Sequence, residues 1–233
     1  MGGADAETDQ RMPLSRVVLK VIALDFDGTL VESNHIKDHA FETIFSDWPD
    51  HKEAMLAWHL PRNTVDRGEK FRYFVEEILG QDGNQGLIDT LNDRFSELTR
   101  QAIAECPWVK GAGEFLEDYQ GKVPLYLVSA TPQTELDEII AMRDLTNTFE
   151  STFGAPLDKV EVLKEIMVEE EASPEEMIYI GDSPEDQQAA ESLGIQFVGR
   201  QSDRSLNSTI NNIYSDFFKI KNHLIKVLVI PRQ

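Results

Sequence analysis

The chain has 233 residues, 41% of them hydrophobic and 27% charged, which accommodates one large domain or a core with an insert. Its formal net charge is −20. That acidity disfavours general nucleic-acid binding and docking on anionic membranes, both of which rely on basic patches, so any anionic substrate must be held by a local cation or metal.

In chain order, residues 1–16 ("MGGADAETDQRMPLSR") are polar, lack the apolar stretch of a secretory signal, and read as a loose tail. "VVLKVIALDFD" is β-branched and apolar and predicts a buried strand. Four helical patterns follow with no strong strand between them: "HIKDHAFETIFSDW", "HKEAMLAWHL", "DRGEKFRYFVEEIL" and "GLIDTLNDRFSELTRQAIAEC". In the third, Phe71, Phe74, Val75, Ile78 and Leu79 share one helical face. Trp48 and Trp58 read as part of the core of this helical region. Cys106, the one cysteine, precedes a proline where the helical region rejoins the rest. It excludes an internal disulfide and suits a reducing, cytoplasmic compartment.

After "CPWVKGAG" the pattern alternates. "EFLEDYQ" predicts a helix, "VPLYLVSA" a strand, "PQTELDEIIAMRD" a helix and "FESTFG" a weaker strand. "DKVEVLKEIMVEEE" is helical, "EMIYIGD" a strand, "PEDQQAAESLG" a helix and "IQFVGR" the last clear strand. "DFFKIKNHLIKVLVI" closes the chain and begins as a helix. In "EEEASPEE", the residues Ser173, Pro174 and Glu176 form a helix-capping signature. No apolar run approaches the roughly 20 residues of a membrane span.

Strands alternating with helices predict a parallel sheet covered on both faces. The expected architecture is a doubly wound α/β core of residues 17–31 and 106–233, with an α-helical insert over 32–105.

Ligands of open α/β sheets bind at the carboxyl ends of the strands. Four predicted strand ends carry polar side chains: Asp25 and Asp27; Ser129 and Thr131; Asp182 and, four residues on, Asp186; and Lys159 after the weak strand. If these ends converge, four carboxylates meet in one place. They repel and raise one another's pKa unless a cation neutralises them. A hard divalent ion such as Mg²⁺ is the natural partner. Beside a carboxylate nucleophile, a hydroxyl and an ammonium, it suits phosphoryl transfer.

"DFDGTL", "LVSATP", a lysine ahead of the last site and "GDSPEDQQAA" resemble, in order, the four motifs of the haloacid dehalogenase superfamily. The helical insert resembles its cap domain, as in phosphoglycolate phosphatase-like members. The resemblance implies a Rossmann-like core and a Mg²⁺-dependent phosphatase of a small phosphorylated metabolite. In that reading Asp25 attacks phosphorus and becomes an aspartyl phosphate, while Asp27 protonates the leaving oxygen and then activates water. Ser129, with Thr131, contacts the phosphate, and Lys159 neutralises charge; Lys164 is its less favoured rival. Mg²⁺ is held by Asp25, the Asp27 backbone carbonyl and Asp182, with Asp186 supporting it directly or through water. The dehalogenases themselves lack an acid at the position of Asp27, so a phosphatase is favoured over a dehalogenase. A phosphomutase of the same family, or a non-catalytic binding or regulatory protein on this fold, are the alternatives.

Two local readings stay open. Ser183, Pro184 and Asp186 also read as the N-cap, first and third positions of a helix, a role compatible with metal support. "PRNTVDRGEKFRY" gathers Arg62, Arg67, Lys70 and Arg72 in an acidic chain. These are either surface pairs such as Arg72 with Glu76, or, for Arg67 and Lys70, a grip on an anionic leaving group.

Overall fold

Alternation of apolar side chains across two faces builds the central sheet. In the computed structural model, which describes residues 17–62, 65–206 and 211–229, the strand β2 (Val21–Leu24) is buried throughout. Ile22 and Leu24 pack into one apolar cluster and Val21 and Ala23 into another on the opposite face. Strands β3 (Leu125–Pro132) and β5 (Met177–Gly181) split in the same way. Leu125, Leu127, Ile178 and Ile180 lie on the first face; Tyr126, Val128, Met177 and Tyr179 lie on the second. Strands buried on both faces are the mark of a parallel sheet.

The sheet has six parallel strands in the order β4-β3-β2-β5-β6-β7, where β4 is Ser151–Ala155, β6 is Gln196–Arg200 and β7 is Ile213–Tyr214. Strand order runs outward in both directions from the β2–β5 pair, so the crevice of the fold opens where those two strands end. Helices α6 (Gln133–Met142), α5 (Ala112–Tyr119) and α9 (Phe217–Val227) supply residues to one covering layer, and α7 (Lys159–Glu169) and α8 (Pro184–Leu193) to the other.

The connection from β2 to β3 contains the helical insert: α1 (Asn34–Phe45), α2 (Pro49–His59), α3 (Arg67–Tyr73) and α4 (Gln85–Glu105). It has its own apolar cluster, centred on Phe41, Phe45, Phe71, Phe74 and Phe95, with Trp48 and Trp58 packed against it. Phe41 lies 4.6 Å from Phe95 and 5.4 Å from Phe71, ring centre to ring centre.

Three details depart from the sequence reading. The strand expected from Val17 onward is broken: β1 (Val17–Val18) pairs with β8 (Leu228–Val229) in a separate two-stranded sheet. The Lys20 amide donates instead to the Glu176 carbonyl at 2.8 Å. The helix expected over 66–79 is composite, passing from α3 into a π-helical turn over Phe74–Ile78. Strand β7 lies beyond the last one expected and is only two residues long, too short to show a period. The tail predicted for residues 1–16 lies outside the described residues.

Candidate active site

The carboxyl ends of β2, β3 and β5 and the start of α7 bring the expected polar residues together. The Asp25 amide donates to the Ile180 carbonyl at 2.9 Å, extending the β2–β5 ladder to the acid itself. Its carboxylate takes a hydrogen bond from Lys159 Nζ at 3.1 Å. The same ammonium reaches Asp186 Oδ1 at 2.5 Å. Lys159 opens α7, where Asp158 caps the helix through the Val160 and Glu161 amides. Lys164, the rival lysine, pairs with Glu161 on the surface.

Asp182 is fully buried and accepts from Asn34 Nδ2 at 2.8 Å through Oδ2. Its Oδ1 is buried without a hydrogen-bond partner among the described residues. Asp25, Asp182 and Asp186 each bring a carboxylate oxygen into one group whose members lie within 4.8 Å of one another. An all-oxygen anionic set with a buried orphan oxygen fits a hard divalent cation. Asp186 is otherwise heavily engaged, accepting from Tyr179 Oη at 2.6 Å, Ser183 Oγ at 2.6 Å and the Ser183 amide at 3.1 Å. The last of these closes a capping box with Ser183, so Asp186 caps α8 while facing the cluster.

Asp27 occupies a different setting. Its carboxylate is turned toward hydroxyls and an ammonium: Ser33 Oγ at 2.6 Å, Thr131 Oγ1 at 2.7 Å and Lys37 Nζ at 2.6 Å. Thr131, expected at the substrate, is thus bonded to Asp27. Ser129 is buried on the cavity wall, and its Oγ accepts from the Thr131 amide at 3.1 Å. Ser33 stands at the N-cap of α1 but gives its hydroxyl to Asp27 rather than to the helix.

Electrostatics separate the two acids further. Burial pushes the Asp25 carboxyl up to about 8; Lys159 offsets part of this, and Asp186, Asp182 and Asp27 add to it. Burial acts the same way on Asp27, but the Lys37 charge and hydrogen bond, with Ser33 and Thr131, outweigh it and hold that carboxyl below its ordinary range. Asp182 is raised by burial, partly offset by Arg204. Burial opposes the charge on Lys159, yet Asp186 and Asp25 keep it well above the usual lysine range.

Gly28 sits in the turn that follows Asp27 at a φ of +72°, and a Cβ there would lie 2.1 Å from Asp182 Oδ2 and 2.4 Å from Asn34 Nδ2. Only glycine combines that backbone with that approach. Arg200, at the end of β6, donates to the Gly28 carbonyl at 2.9 Å and pairs with Glu32, fastening the same turn.

A cavity of about 560 Å³ opens above Asp25, floored by the core and roofed by the insert. Lys70 and Arg67 line it from the insert side. Arg67 forms a two-pronged pair with Glu135 of α6, at 2.5 and 3.1 Å, and Ser96 of α4 joins on the same carboxylate at 2.7 Å. Its guanidinium is engaged at the seam between insert and core. Lys37, Asn34, Arg200 and Arg204 are the site residues that sequence reasoning missed. Lys37 and Asn34 sit in the first turns of α1, where polar residues read as helix surface; their proximity to "DFDGTL" is the available signal.

A family model of haloacid dehalogenase-like hydrolases matches residues 22–200, and the chain belongs to that family. No curated protein matches the sequence. The fold is similar to a predicted phosphoglycolate phosphatase from Haemophilus somnus (17% identity, TM-score 0.68, covering 88% of this chain and 97% of that one). It is also similar to CbbY from Rhodobacter sphaeroides in complex with phosphate (15% identity, TM-score 0.68, 87% and 96% covered). A third similar structure is YfnB from Bacillus subtilis in a magnesium-bound form (16% identity, TM-score 0.66, 89% and 99% covered). No described helix is long and apolar enough to cross a membrane.

Proposed function

We propose that this hydrolase is a Mg²⁺-dependent phosphatase that cleaves a small phosphorylated metabolite through an aspartyl phosphate on Asp25. The observation that carries the reading is the division of labour between Asp25 and Asp27. Two carboxylates two residues apart face one cavity, one among acids and Lys159, the other held by Ser33, Thr131 and Lys37. A dehalogenase has no use for the second.

Asp25, Asp182, Asp186 and the Asp27 carbonyl would hold the cation, which when bound supplies positive charge to the phosphoryl oxygens. The rest falls to the chain. An Asp25 oxygen attacks phosphorus as the bond to the substrate alcohol breaks, and Asp27, ionised at rest, relays a proton taken from the monoanionic phosphate monoester to the departing oxygen. Asp27, now a carboxylate, takes a proton from water as that water attacks phosphorus and Asp25 departs. Lys159 offsets the charge gathering on Asp25 and the phosphoryl group, and Ser129 offers a hydroxyl to a phosphoryl oxygen. The raised pKa of Asp25 agrees with a site completed by a cation, because the attacking form is the anion.

A generic aryl phosphate tests the reading. The protein should hydrolyse it with Mg²⁺, lose the activity in chelator and regain it on readdition. Asp25→Asn should be inactive under all three conditions. Full activity in excess chelator would remove the metal, and no turnover of any phosphate monoester would remove the phosphatase.

A further inference from the structure

The start of α1 touches both halves of the site. Ser33 and Lys37 hold the Asp27 carboxylate, and between them in sequence Asn34 reaches Asp182. Asn34 Nδ2 stands 2.8 Å from Asp182 Oδ2 and 2.8 Å from Asp203 Oδ1, the latter in the segment after β6. An ionised carboxylate only accepts, so the nitrogen must face the two acids, and its two hydrogens are divided between them.

The amide is wedged in place. A Cβ on Gly28 would fall 2.4 Å from its Nδ2 and 2.7 Å from its Oδ1, so the group lies against the backbone of the turn after Asp27. Asn34 is 8% exposed, and its Oδ1 is buried with no hydrogen-bond partner among the described residues. That oxygen carries a cost which a leucine of nearly the same shape would not. Packing alone therefore gives no reason for an asparagine here; the donor does. Ser202 and Arg204, in the segment that carries Asp203, also favour the Asp182 anion. Asn34 is the contact that comes from the insert. With Asp182 Oδ2 taken by Asn34, Oδ1 is the oxygen left without a partner, and Asp182 belongs with Asp25 and Asp186 to the acid cluster.

Resting on the phosphatase reading and its cation, we infer that Asn34 is a positioning residue for the metal. It fixes Asp182 Oδ2 so that Oδ1 stays free for the ion, and it makes the metal affinity of the core depend on the insert. Partners that orient a metal ligand in this way typically govern affinity by about ten- to a hundredfold.

Mn²⁺ is the probe, because it suits carboxylate and water ligands and its solution EPR signal is lost on binding; Mg²⁺ is then read by competition. Neither measurement needs turnover. In Asn34→Leu, which keeps shape and charge but removes the donor, and in Asn34→Ala, both ions should bind about ten- to a hundredfold more weakly than in the wild type. The titrations are run well below the Tm of each variant, so their midpoints report the folded protein. Aryl phosphate hydrolysis by the variants should need correspondingly more Mg²⁺. An Asn34 that only supports the fold would lower the Tm and leave the midpoints in place; that result would overturn the inference and leave the phosphatase standing. If the wild type binds neither ion, the cation and this role for Asn34 fall together. Weaker binding in both variants, with no phosphate monoester hydrolysed by the wild type, would uphold Asn34 and remove the phosphatase.

Discussion

Lys37, on the first helix of the insert, donates to Asp27 Oδ2 at 2.6 Å, so a residue of the cap holds the proposed proton carrier of the core. Lys37 also reaches Thr131 Oγ1 at 3.3 Å, closing a small ring of contacts with the Thr131–Asp27 bond. Burial would raise the Asp27 pKa, and Lys37 leads the groups that bring it below the ordinary range. Lys37→Met should therefore raise it. Asp27 serves as an acid only while protonated, so the alkaline limb of kcat/KM that it governs should move to higher pH. An alkyl phosphate, whose leaving oxygen needs the proton, is the substrate to use. An alkaline limb that stays in place or moves down would show that Lys37 does not set the Asp27 proton affinity.

The Asp25 pKa, raised to about 8, gives an expectation that needs no turnover. Below about pH 4, Asp25 is protonated in folded and unfolded chains alike. Between there and about 8, the folded carboxyl keeps its proton while the unfolded one has lost it. The metal-free fold therefore loses stability as pH rises through that window. Mg²⁺ must displace the proton, so its apparent affinity should strengthen by up to about tenfold per pH unit below 8. The rise in Tm at fixed Mg²⁺ should accordingly be larger at pH 8 than at pH 6, and should be lost in Asp182→Asn. Thermal melts across pH with and without Mg²⁺ decide this; an equal shift at both pH values would contradict the Asp25 assignment.

The Arg67–Glu135–Ser96 contact predicts a seam between insert and core that strengthens the closed arrangement without choosing the substrate. Both charged side chains are mostly buried, at 19% and 16% exposure, so the pair should count for more than a surface bridge. Arg67→Leu should cost about 1–3 kcal/mol of stability and speed amide exchange in α3 and α4. It should reduce kcat/KM for neutral and anionic phosphate esters alike. A loss confined to the anionic esters would instead place Arg67 in the substrate contact.

Much of this molecule is legible in its sequence because the relevant signals are local. The four strand-end motifs and the alternation of strands and helices are contiguous patterns, and the fold brings Asp25, Asp182, Asp186 and Lys159 around one point. Strand-internal period is readable too: Ile22 and Leu24 face one cluster and Val21 and Ala23 the other. What is not legible depends on contacts distant in sequence. Lys37 and Asn34 look like ordinary residues of an exposed helix until α1 is laid over the ends of β2 and β5. Arg204 follows the last clear strand in a polar segment with no period. Arg67 stands on an apolar stripe, which suggested substrate; its partner Glu135 lies 68 positions away.

The two acids of "DFDGTL" should fail differently when each becomes asparagine. Asp25→Asn loses the attacking oxygen and one ligand charge from the cluster of Asp25, Asp182 and Asp186, so no covalent phosphoenzyme should form. Asp27→Asn keeps the nucleophile and its Lys159 contact but loses the proton carrier. With an alkyl phosphate, whose leaving oxygen needs protonation, the Asp27→Asn rate should fall by about 10²–10⁴. With an aryl phosphate, whose leaving group departs without a proton, the first step should partly survive. The second step still needs a base, so phosphoenzyme should accumulate. The measurement is an acid quench after mixing each variant with ³²P-labelled aryl phosphate, followed by counting label on the protein. Asp27→Asn should retain label and Asp25→Asn should retain none, because Asp25 lines the cavity beside Lys159, whereas Asp186, which also contacts that lysine, does not. Label on Asp25→Asn, or normal turnover by Asp27→Asn, would reverse the roles assigned to the two carboxylates.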